Sequence, residues 1–115
     1  MFLKKNIKDI PIEKASHSSG SRRMLVNKDD ISSKYFEAYT YGYLPSGKKW
    51  EMHKHDNIVE VCLVAKGNGI VRDSEGKEES FEAGDRLIFP SDIEHEIENN
   101  SSNEAEFYFL RIKDK

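Results

Sequence analysis

His53 and His55 stand two residues apart, Glu60 follows five residues later, and His95 comes from a separate stretch of the chain. Residues two apart in a strand point to the same face, so the histidine pair offers two imidazoles at adjacent corners of a coordination polyhedron. Glu60 opens the next strand after the short connection Asp56-Asn57 and brings a carboxylate beside them. His95 closes the set from a distant strand. Three neutral imidazoles and one carboxylate suit a divalent Fe, Mn, Ni, Co or Zn ion, and affinity order alone does not choose among these. An open position on such an ion polarises a carbonyl or enediolate, or activates water or dioxygen.

Other side chains near this set are candidates for proton transfer. Tyr39, Tyr41 and Tyr43 alternate along one strand face; core packing or a dimer contact accounts for them, and a pocket role for Tyr41 or Tyr43 as hydrogen-bond donor or general acid is the competing reading. Glu51 shares parity with His53 and His55, so a regular strand turns it inward as a base, while a place on the rim turns it to solvent. Cys62 reads as a small buried hydrophobe and Trp50 as a packing residue or a lid. His17 sits in the polar run Ala15 to Ser21 and reads as a surface residue.

The elements that must position these groups are short strands. Ile7-Ile10-Ile12 and Met24-Leu25-Val26 suggest two of them. Tyr35 to Leu44 is rich in strand formers and ends at Pro45-Ser46-Gly47. Trp50 to His55 follows, then the apolar run from Ile58 to Lys66, closed by Gly67-Asn68-Gly69. Ile70 to Arg72 and Glu79 to Phe81 flank a charged hairpin tip. Arg86 to Phe89 stops at Pro90, His95 to Glu98 is short, and Glu106 to Ile112 is last. Phe107 and Phe109 alternate with Tyr108 and Leu110, a strand buried on both faces. Short strands at this spacing, without an amphipathic helix, predict an all-β sandwich or barrel.

Composition narrows the partners. The chain has 115 residues, enough for one domain, with residues 1–34 as N-terminal strands and loop and residues 35–112 as the barrel. A net charge of -3 argues against nucleic acid, and Arg22-Arg23 is too short a basic run to reverse that; gripping an anionic substrate is its other reading. One cysteine excludes an internal disulfide and fits a reducing compartment. No run of eighteen apolar residues and no signal-like start are present, so a cytoplasmic protein without a membrane partner is expected. A domain this small gains from burying more surface, and a homodimer is expected.

The frame around the four candidate ligands carries a resemblance. GKKWEMHKHDNIVEVCLVAKG, residues 47–67, resembles the first cupin motif, G-x5-HxH-x4-E-x6-G, at every fixed position. GDRLIFPSDIEHEIEN, residues 84–99, resembles the second, G-x5-PxG-x2-H-x3-N, with Asp92 in place of its turn glycine. The resemblance implies an antiparallel double-stranded β-helix, or jelly-roll barrel, open at one end. It implies metal ligation by His53, His55, Glu60 and His95, with one or two positions left open. It further implies a metal-dependent enzyme of dioxygenase, lyase or isomerase type, acting on a small oxygen-rich molecule. A non-catalytic ligand-binding or sensor cupin is the alternative. A metal-free epimerase-like site fits less well, since a glutamate facing three histidines is costly to bury without a partner.

Overall fold

The computed structural model describes residues 1–14 and 19–114; His17 and the rest of 15–18 lie outside the described residues. Among the described residues ten strands form: β1 (Ile12–Lys14), β2 (Ser21–Asn27), β3 (Phe36–Leu44), β4 (Lys49–His53), β5 (Ile58–Lys66), β6 (Asn68–Asp73), β7 (Glu78–Glu82), β8 (Arg86–Phe89), β9 (His95–Glu98) and β10 (Ala105–Lys113). They make two antiparallel sheets, a six-stranded one in the order β1-β2-β3-β10-β5-β8 and a four-stranded one in the order β4-β9-β6-β7. The expected all-β jelly roll is what the alternation of apolar residues produces.

Period-two patterning decides which residues fill the space between the sheets. On β10, Ala105, Phe107 and Phe109 are buried, and on β5 Glu60, Cys62 and Val64 are buried. All of these but Glu60 meet Trp50 of β4, Phe81 of β7 and Ile97 of β9 in one core cluster. Phe107 is its centre, with ring centroids 5.3 Å from Trp50, 5.6 Å from Phe81 and 5.7 Å from Phe109. The other parity of β3 and β10 carries a separate tyrosine cluster, in which Tyr108 lies 4.7 Å from Tyr41 and 6.0 Å from Tyr39.

Three local expectations need correction. Ile7 does not enter a strand: Ile7–Asp9 is a single 3-10 turn, with the Asn6 side chain accepting from the Lys8 amide. The histidine strand stops at His53, so His55 lies in the connection to β5, whose turn is closed by Asn57 at φ 60°. Gly67-Asn68-Gly69 is not one turn, because β6 already begins at Asn68. The substitution at Asp92 costs no backbone strain. Among the described residues Asn57 is the one non-glycine with positive φ, so the loop after Pro90 turns without the left-handed conformation a glycine would supply.

Asn99 shows why the second motif ends in asparagine. It is fully buried, and its Nδ2 donates to the carbonyls of Leu44 and Asn103 at 2.9 and 2.8 Å. Its Oδ1 accepts from the amide and hydroxyl of Ser101. The backbones of Gly47 and Lys48 bond to Asn99 as well, tying the β3–β4 connection to the end of β9. Asn99→Asp keeps the shape but sets an acceptor against two carbonyls. It is expected to cost about 2 kcal/mol in urea unfolding, and a loss under 0.5 kcal/mol would show that these bonds contribute little.

Candidate metal centre

Two directly opposed residue pairs, one from each sheet, build the site. His53 and His95 face each other across β4 and β9. Glu60 and Arg111 face each other across β5 and β10, with Phe89 on the far side of Glu60. The sheets stack these pairs together, so that one donor atom each from His53, Glu60 and His95 lies within 4.8 Å of the others.

Each donor is oriented by a further contact. The Nδ1 of His53 donates to the Glu51 carbonyl at 2.6 Å; a carbonyl only accepts, so the proton sits on Nδ1 and Nε2 keeps its lone pair for a metal. The His95 ring stacks on Phe89 at 3.8 Å and 7° between planes. Its Nε2 donates to Glu60 Oε1 at 3.1 Å, while its Nδ1 is buried without a hydrogen-bond partner among the described residues. Glu60 Oε2 accepts from Arg111 Nε at 2.7 Å. Burial alone would raise the Glu60 carboxyl, but the bond from His95 and the Arg111 guanidinium outweigh it and hold it at about 2. Glu60 is therefore ionised at neutral pH despite being buried.

His55 stands beside this group rather than inside it, its ring centroid 5.4 Å from that of His53. The three-residue group plus this adjacent imidazole fits a divalent ion by donor chemistry, mixing imidazole nitrogen with a carboxylate oxygen. The cavity in front of the donors has about 40 Å³ of space open to water, room for about three water molecules. Its walls include Arg22, Thr40, Gly42, Trp50 and Arg111.

The three candidates for proton transfer are elsewhere. A one-residue register shift between Trp50 and His53 breaks the alternation of β4. Trp50 and His53, three apart, both line the cavity, and Glu51 turns out to solvent toward Lys49 at 3.7 Å. Glu51 thus serves His53 through its carbonyl, not its carboxylate. Tyr41 donates to Glu106 at 2.6 Å and Tyr43 accepts from Arg23 at 2.9 Å; neither lines the cavity. Burial and the Glu106 carboxylate push the Tyr41 phenol well above its ordinary range, which makes it a poor acid near neutral pH. Arg23 also donates to the carbonyls of Ile7 and Ile10 and so pins the N-terminal segment. Cys62 is fully buried, and burial followed by the charge of Glu60 pushes its thiol up.

Sequence reasoning missed Arg111. The signal was present: Arg111 shares parity with Phe107 and Phe109, so the last strand aims an arginine into the interior.

Comparison with known proteins places this architecture. The family model for the cupin domain matches residues 40–111, and the chain belongs to the cupin family. An oxalate-binding protein of Thermotoga maritima is 34% identical over 69 residues, which are 60% of this chain and 56% of that relative. The chain thus spans little over half the length of that curated relative. A crystal structure described as a predicted oxalate decarboxylase from Thermotoga maritima superposes with a TM-score of 0.86 at 26% identity, covering 96% of this chain and 99% of that one. A polyketide cyclase from Streptomyces resistomycificus shares the fold, with a TM-score of 0.81 at 15% identity over 100% of this chain and 81% of that one.

Proposed function

We propose that this protein is a mononuclear-metal cupin that binds a compact, oxygen-rich anion of the oxalate class at a divalent ion held by His53, His55, Glu60 and His95. The observation that carries the proposal is the convergence of the His53, Glu60 and His95 donors on one cavity, Glu60 and His95 being buried. The Thermotoga maritima matches, an oxalate-binding protein and a crystal structure described as a predicted oxalate decarboxylase, support the ligand class. When bound, the ion supplies Lewis acidity and a place for ligand oxygens. The chain's part is to fix the donors. Glu51 sets the His53 tautomer, Phe89 holds the His95 ring plane, and His95 and Arg111 together keep Glu60 ionised. Phe109, Ile97 and Trp50 line the cavity with apolar surface and limit water there.

Turnover by a lyase-type reaction is the first reading, because a divalent ion held by these four residues would supply the electrophile. Binding without turnover is the second. It is favoured by one observation: among the described residues lining the cavity, Glu60 is the only carboxylate and no phenol is present to move a proton.

Metal content of the purified chain tests the proposal. About one Fe, Mn, Co, Ni or Zn per chain is expected, falling below a tenth in His53→Ala/His95→Ala with an unchanged β-sheet circular dichroism spectrum. Full occupancy in that double variant would overturn the ligand assignment. Formate and carbon dioxide from oxalate then select turnover; a thermal shift with oxalate and no product selects binding alone.

A further inference from the structure

Glu60 engages Arg111 through a single guanidinium nitrogen. The bond runs from Nε to Oε2, and neither Nη of Arg111 bonds to a described residue. A guanidinium has five N–H donors, so four are left over on a side chain that is 18% exposed and lines the metal-facing cavity. Arg22 lines the same cavity, but its charge is already met by Glu13 of the edge strand β1 at 2.9 Å.

The charges of the loaded site sharpen the point. Without an ion, Arg111 and Glu60 neutralise each other. Once Glu60 also serves a divalent ion, one carboxylate faces a guanidinium and a dication. Both charges of the ion are then uncompensated in a cavity with apolar walls. A ligand that brings two negative charges restores neutrality, and a planar carboxylate matches the fork of a guanidinium in a way a point charge does not.

We infer that Arg111 is a specificity-determining residue: its Nη edge grips a carboxylate of the ligand while its Nε holds Glu60. The inference rests on the metal-bound anion reading above. It adds that ligand choice depends on a group outside the metal's coordination shell, and that a dicarboxylate is selected over a ligand with one neutral end.

The test uses Arg111→Lys and Arg111→Gln, with bound Mn(II) per chain read by mass spectrometry and oxalate and oxamate titrated calorimetrically. Both variants are expected to keep Mn(II), Arg111→Lys because its ammonium still faces Glu60. Oxalate affinity should fall at least tenfold in each, and the preference for oxalate over oxamate should narrow by a similar factor in Arg111→Gln. Unchanged oxalate affinity per metal-loaded chain would overturn the inference, whether or not metal affinity falls, and would reduce Arg111 to a holder of Glu60. A wild-type chain that takes up no Mn(II) would sink the metal reading alone. The same titration in chelator then reads the anchor directly: weaker oxalate binding in Arg111→Lys sustains it, and equal binding overturns it.

Discussion

Glu60→Ala is expected to strip the protein of metal and to lower the stability of the chelator-treated chain by about 3 kcal/mol. Loss of the ligand explains the first effect. The second arises because the substitution leaves Arg111, 18% exposed, with no carboxylate opposite it. Removing one member of a buried pair is far worse than removing both, since the orphaned charge keeps its desolvation cost. Glu60→Leu/Arg111→Leu should therefore recover most of that loss in urea unfolding while still binding no metal. Equal losses in the single and double variants would show that the pair is not coupled. The same contact predicts a pH signature for the metal-free chain. The unfolded Glu60 carboxyl titrates near 4.5 and the folded one at about 2, so as pH falls protons bind the unfolded chain first. The stability that the His95 and Arg111 contacts to Glu60 contribute together is complete above 4.5 and drains away between 4.5 and 2, on the order of 3 kcal/mol in all. Glu60→Gln should lack that part of the acid sensitivity.

The jelly roll and three converging donors were legible because both depend on residue type and local spacing. Alternating apolar residues mark strand faces, and turn residues mark the ends. What was not legible depends on register. Counting in twos from His53 leaves Glu51 open between the interior and the rim, and one inserted residue between Trp50 and His53 selects the solvent-facing alternative. No residue type announces a bulge there. His55 was placed in the strand by the same counting, whereas the tight turn at Asn57 draws it out of the ladder. Tyr41 and Tyr43 required knowing which parity of β3 faces inward. The small residues Ala38, Thr40 and Gly42 take that face, and Gly42 leaves room for the Trp50 ring, which a Cβ there would meet at 3.1 Å. Small inward residues on one sheet, opposite large ones on the other, are a pattern that becomes readable only once the sheets are paired.

Gly69 extends this lesson to a position that resembles a turn glycine and is not one. It lies inside β6, opposite Phe81, and its φ is not positive, so any residue could adopt its backbone. Space is what requires glycine: a Cβ would lie 2.1 Å from the Glu98 carbonyl oxygen and 2.8 Å from the Phe81 ring. The first obstacle is backbone and cannot rotate aside. Gly69→Ala must therefore push β6 away from β9, the strand that carries His95. A loss of about 3 kcal/mol is expected, together with weaker metal retention as the His53–His95 pair loosens. Gly47→Ala is the matched control, because φ there is +74° and nothing lies within 4 Å of an added Cβ. It should cost only the left-handed penalty, about 1 kcal/mol, and leave metal binding intact. If urea unfolding gives the two variants the same loss, close approach of β6 to β9 does not hold the histidine strand in place. The pairing of β9 with β4 would then carry the site's geometry alone.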